Sequence, residues 1–256
     1  MKNNKESLHG LRADTIDEVI HSLDTIVDWS KRHAKQTGYF AALYRKVTIK
    51  VKQGIESGYF DDGERMERLD VIFANRYLDA FERYHSGRTV TRVWQLAFEL
   101  TEDWFPIVLH HLMIGMNAHI NLDLGIAAAQ TVEENEMPLL KPDFNKINDV
   151  LSDLVDEVEN ELSEIWPFFG KLDKLAGSLD ERLADTGMAF ARDRAWEFAM
   201  RCATATDKED KIDQMDKKMT LVGELFLTPG LIKNTVLLLI RLTEQGDITK
   251  KISILE

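Results

Sequence analysis

The sequence predicts an all-α fold, a single compact multi-helix bundle-like domain around one buried central helix. Three observations predict it. Apolar residues recur at i, i+3, i+4 and i+7 over most of the chain, only 5 of 256 residues are proline, and strand-like alternation is confined to Ile248 to Leu255. Residues 1–12 read as a polar N-terminal tail and residues 13–256 as one helical domain, since no Gly/Ser linker or internal repeat divides them.

The elements follow in order. Asp14 or Thr15 is placed to cap a first helix ending near Gln36, with Ile16, Val19, Ile20, Leu23, Ile26 and Val27 as its apolar stripe. A second helix spans about Gly38 to Ser57, stopped by Gly58. The turn from Gly58 to Gly63 leads to a third, whose buried stripe carries Phe73, Tyr77, Leu78 and Phe81 and which ends at Gly87. Thr89 is the expected cap of a fourth helix reaching Asp103. Pro106 suits the first turn of a fifth, running to Thr131, because a missing N–H costs nothing there. Glu133 to Pro142, with two prolines, reads as a loop. Ile147, Leu151, Leu154, Val158, Leu162 and Ile165 mark a long amphipathic helix, interrupted near Pro167 and Gly170. Two more helices cover Ser178–Thr206 and Asp207–Phe226, and a last apolar one follows Pro229 and Gly230 and ends near Gly246.

Composition narrows the function classes. The chain is 44% hydrophobic and 30% charged, as in ordinary globular proteins, and its net charge of −12 disfavours nucleic acid and anionic membrane surfaces as partners. Met1 to Gly10 lacks an apolar signal core, and the most apolar run, Thr235 to Ile240, is too short to span a bilayer. The one cysteine, Cys202, forms no intrachain disulfide and reads as a packing residue, so a cytoplasmic location is expected. The oligomeric state is not legible.

One helix does not read as packing alone. Between His110 and Gly125 the segment is apolar on all sides, as in a buried helix, yet it carries His110, His111, Asn117, His119, Asn121 and Asp123. At ~100° per residue, His111, His119 and Asp123 form one stripe, and His110, Asn117 and Asn121 another. Burying a polar group without a partner costs roughly 1–3 kcal/mol. These groups therefore require partners on other helices, or a ligand. His119 and Asp123, four residues apart, point the same way. Gly115 and Gly125 let a helix or ligand approach the backbone.

Catalytic candidates are accordingly His119, Asp123, Asn117 and Asn121. A divalent metal ion is a candidate cofactor, with His111, His119 and Asp123 as its ligands. Ligand-binding candidates on other helices are Tyr44, Arg76, Asp79 and Arg192, beside aromatic residues that reach inward. The alternative throughout is a structural polar network, with Arg76, Asp79, Asp193 and Arg194 on solvated faces. Phosphate-loop, zincin, nucleophile-elbow and di-iron Glu-x2-His signatures are absent, and Cys202 has no evident base.

Gly115–Gly125, reading GMNAHINLDLG, resembles the signature of an uncharacterised bacterial family of helical proteins, a domain of unknown function. Phe40–Thr48 (FAALYRKVT), Phe73–Ala80 (FANRYLDA) and Ala191–Trp196 (ARDRAW) are similar to other parts of that pattern. The resemblance implies an all-helical domain of nearly full length and no particular activity. Two function classes stand: an enzyme acting on a small molecule at a His/Asn/Asp-lined buried site, by metal-assisted hydrolysis or an oxygen-dependent reaction, or a non-catalytic helical ligand-binding or protein-interaction domain.

Overall fold

Local chemistry at the helix ends sets the boundaries. A computed structural model describes residues 8–168, 179–227 and 231–256. Helix α1 (Ile16–His33) starts where Thr15 Oγ1 accepts a bond from the Glu18 amide at 3.2 Å, and acidic first-turn and basic last-turn residues match its dipole. Helices α2 (Gly38–Glu56) and α3 (Gly63–His85) follow, and Asp62 caps α3 through the Arg65 amide. Helix α4 (Arg92–Leu100) begins later than expected, and Thr89 is not its cap. The Asp216 carboxylate takes the Arg92 and Val93 amides instead, both at 2.9 Å, so the cap comes from a distant helix.

The central segment is α5 (Val108–Ala118), one π-helical turn (His119–Asp123) and α6 (Leu124–Thr131). In that turn the Leu124 amide bonds the His119 carbonyl five residues back, inserting one extra residue. The expected loop through Pro142 is shorter than predicted. Helix α7 (Met137–Ile165) starts five residues earlier, with Pro138 in its first turn and Pro142 inside it. Met137, Leu140 and Phe144 are buried on one face, and that packing outweighs the bond Pro142 removes. Helices α8 (Leu179–Thr204), α9 (Lys208–Leu227) and α10 (Leu231–Thr243) follow, whereas Gly170, Pro229 and Gly230 lie outside the described residues.

Residues Ile248–Leu255 form a helix, α11, not a strand. Asp247 caps it through the Lys250 amide at 2.8 Å, and Ile252 and Leu255 share its buried face. Among the described residues there is no strand, and no helix is long and apolar enough to cross a membrane. The N-terminal stretch is tied down before α1. Leu11 and Ala13 are buried, and Asn75 clamps the Ala13 backbone from both sides, at 2.9 and 2.7 Å.

The central segment packs against α2 and α3 on one side, α4 and α9 on another, and α8 at its end. Two glycines permit this. A Cβ on Gly115 would sit 2.4 Å from the Phe40 ring, and one on Gly125 would sit 2.8 Å from the Ala195 carbonyl oxygen. Helices, and not a ligand, take up the space the two glycines leave. Asp143 holds α7 to the α2–α3 turn by accepting from the Asp61 and Asp62 amides and from Arg65 Nη2, at 2.7, 3.0 and 2.8 Å.

Candidate functional site

The π-helical turn brings His119 and Asp123 together. Asp123 is fully buried and receives three donors: Arg76 Nε at 2.6 Å on Oδ1, Trp94 Nε1 at 2.7 Å on Oδ2, and His119 Nδ1 at 3.3 Å on Oδ2. Burial alone would raise the pKa of its carboxyl, but Arg76, His119 and Trp94 outweigh burial and hold it below its ordinary value. His119 shifts down because burial outweighs the carboxylate beside it. The pair is therefore a carboxylate and a neutral imidazole. With Asp123 accepting at Nδ1, the proton sits there and Nε2 keeps its lone pair. Nε2 is buried and has no hydrogen-bond partner.

An aromatic box fixes the imidazole plane. Phe73 stacks on it with centroids 3.6 Å apart and planes 8° apart, and Tyr44 meets it edge-on at 4.4 Å. Phe40, Tyr77 and Trp94 complete the surround.

His119 also lines a cavity of about 290 Å³ between α2, α3, the central segment and α7. Its walls are aliphatic, with Leu43, Val47, Leu112, Leu151, Leu154 and Val158 representative. Tyr44, Asp70, Arg192 and Glu159 add polar atoms to the lining. The Tyr44 hydroxyl, Asp70 Oδ2 and Arg192 Nε are buried and have no hydrogen-bond partner among the described residues. Burial, with Glu67 next, pushes the Asp70 carboxyl up to about 7. Burial also lifts Tyr44, helped by the charges of Asp70 and Asp123, and lowers Arg192 to about 9.

The remaining candidates lie elsewhere. Asn117 and Asn121 face α9: Asn117 Nδ2 donates to the Met219 carbonyl at 2.9 Å, and Asn121 Nδ2 donates to Asn117 Oδ1 at 3.1 Å. They do not line the cavity, because the turn from 119 to 123 carries His119 and Asp123 to another side of the helix. His111 is not brought to the His119–Asp123 pair. Its ring meets Tyr39 at 5.4 Å, and burial, then nearby cationic groups, lowers its pKa to about 3. His110 accepts from the Ile107 amide at 3.3 Å. Among the described residues, no three His, Cys, Asp or Glu side chains converge as metal ligands, so the set His111, His119 and Asp123 does not form. Asp79 is exposed and meets Arg83 at 3.9 Å. Arg76 acts on Asp123, while Tyr44 and Arg192 reach the cavity.

Two participants are not in the candidate set drawn from the sequence, although the third helix offers Asp70 beside Arg76 and Asp79 in its aromatic stretch. Asp70 lies on the buried stripe of Met66, Phe73 and Tyr77, and a charge within such a stripe is the signal that marks it. Trp94 had no comparable signal. Its role depends on α4 meeting the central segment.

Neither a curated protein nor a solved structure matches the chain. A family model described as "Family of unknown function (DUF5995)" matches residues 16–229, which include every side chain of the site named above. This chain belongs to the DUF5995 family.

Proposed function

We propose that the protein is an enzyme that takes a small, largely apolar molecule into the cavity and acts on it with His119 as a general base. One observation carries the reading. A buried imidazole is held as the Nδ1–H tautomer by Asp123, itself locked by Arg76 and Trp94, and its Nε2 is unpartnered in a residue lining an apolar cavity. Nε2 accepts a proton from the bound molecule or from a water beside it, and Asp123 stabilises the imidazolium that forms. Burial keeps His119 neutral at neutral pH and below, so its basic form persists into mildly acidic solution.

A second reading is a binding protein without turnover. It is favoured by the absence of Ser, Thr and Cys among the described residues of the cavity lining, which offer no ordinary nucleophile for covalent catalysis. Hydrolysis of ethyl hexanoate, a short unbranched apolar ester, separates the two. The base reading expects turnover that falls about 100-fold or more in His119→Gln, on the scale of a lost general base, while the ester still binds. Turnover unchanged by the substitution overturns it, and binding without turnover in either protein supports the second reading.

A further inference from the structure

Resting on the cavity reading above, we infer that the ligand is a linear aliphatic acid, its carboxylate held by Arg192 and its chain lying along α7. The first support is an imbalance of charge. The buried cations among the described residues are Lys46, Lys251 and Arg192. Lys46 meets Glu161 and Glu157, and Lys251 meets Glu244 at 2.7 Å. Among the described residues Arg192 has no carboxylate within ion-pair distance. It donates through Nη2 to the Phe144 carbonyl, its guanidinium lies 4.5 Å from the Phe144 ring centroid, and its Nε is unpartnered. A buried guanidinium without an anion is costly, and a planar carboxylate is the partner that its fork of donors matches.

The second support is the shape of the cavity. Its lining on α7 runs from Ile147 to Leu162, about 22 Å at the 1.5 Å rise of a helix. On the central segment it runs from Leu109 to Leu124. A space this long with a volume of about 290 Å³ is narrow, and an unbranched chain fits it better than a ring system. The anion belongs at the Arg192 end. Arg192 bonds the carbonyl of Phe144, in the early turns of α7, whereas Glu159 lies fifteen residues further along, about 22 Å away by helix rise.

Asp70 does not contradict an anionic ligand. The other buried carboxylates among the described residues are Asp123, Asp143 and Asp216, and each accepts at least two hydrogen bonds. Asp70 Oδ2 is buried with no hydrogen-bond partner among the described residues, and burial favours the neutral form of the carboxyl. As a carboxylic acid it donates a hydrogen bond to the ligand and exerts no repulsion.

Isothermal titration of the full chain at pH 6 with decanoate and, separately, with 1-decanol tests the inference. The expected result is at least about tenfold tighter binding of decanoate. Arg192→Met should remove that preference while keeping affinity for decanol, and Arg192→Lys should retain part of it. Circular-dichroism melts of each variant check folding, and if Arg192→Met does not fold, the parent and Arg192→Lys decide. Equal affinities in the parent, or an undiminished preference in folded Arg192→Met, overturn the assignment of the anion to Arg192 and leave the cavity reading intact. Binding of neither compound overturns both.

Discussion

The central helix presents two kinds of polar side chain on its two sides. On the α9 side, Asn121 bonds Asn117, Asn117 bonds the Met219 carbonyl, and Asp216 of α9 takes the first amides of α4. Every one of these side chains finds its partner within the chain, and the bonds of Asn117 to Met219 and of Asp216 to α4 join one helix to another. On the cavity side, His119 Nε2, the Tyr44 hydroxyl, Asp70 Oδ2 and Arg192 Nε are equally buried and have none. Buried polar groups are nearly always paired because leaving one unpaired costs about 1–3 kcal/mol. One orphan is unremarkable as strain in a fold. Of the eleven such atoms among the described residues, including both ring nitrogens of His111, four belong to residues around one apolar cavity, and the proposed ligand site rests on that convergence.

The comparison is broken most severely at Asp123, the residue that belongs to both sides. Asp123→Ala should destabilise the protein by about 3–5 kcal/mol, the usual cost of breaking a buried ion pair from one partner. It strands the Trp94 indole N–H and removes the carboxylate facing Arg76 and His119. Urea denaturation monitored by tryptophan fluorescence measures it. A loss below about 1 kcal/mol would mean that Asp123 is as dispensable to the fold as the orphans are.

Asp70 sharpens the comparison with the opposite sign. Its folded pKa, about 7, lies above the ordinary value of 3.8. The folded state therefore holds a proton that the unfolded state releases, and stability falls as pH rises from about 4 to 7. The groups sharing its surroundings are Glu67, Tyr44 from α2, His119 from the central segment, Glu159 from α7 and Arg192 from α8. Asp70→Asn removes the titration. It should raise the melting temperature at pH 8, by an amount equivalent to a few kcal/mol at most given 1.36 kcal/mol per pKa unit, and change it little near pH 4. An effect independent of pH would show that Asp70 is not held neutral by burial.

Much of the fold was legible because period 3.6 survives in nearly every element. The exceptions have local causes. Pro142 reads as a helix breaker, yet Met137, Leu140 and Phe144 pin it inside α7. Ile248 to Leu255 alternates like a strand, yet the Asp247 cap and the burial of Ile252 and Leu255 make it helical. The site was half legible. Four-residue spacing places His119 beside Asp123, but a uniform helix also puts His111 on their stripe, and the extra residue of the π-helical turn is invisible to a fixed period. The cavity itself depends on α7 lying across α2 and the central segment. No local pattern encodes that meeting of distant elements, although the charges at Asp70 and Arg192, each within a buried stripe, were its visible trace.

The smallest expected effect is at Asn121, and it tests whether the α9 side is only structural. Asn121 is half-buried and donates one bond, to Asn117 Oδ1, whereas Asn117 holds both that bond and the Met219 carbonyl. Asn121→Ala therefore leaves one acceptor unpaired and should cost about 1 kcal/mol, and Asn117→Ala strands groups on two elements and should cost more, within about 1–3 kcal/mol. The two residues touch, so the double variant should lose less than the sum of the single losses. Neither substitution reaches the cavity lining, and decanoate affinity should stay within about twofold of the parent wherever the variants remain folded. If Asn121→Ala left stability unchanged but abolished ligand binding, the two sides of the helix would not be separate in function, and the asparagines would belong to the site after all.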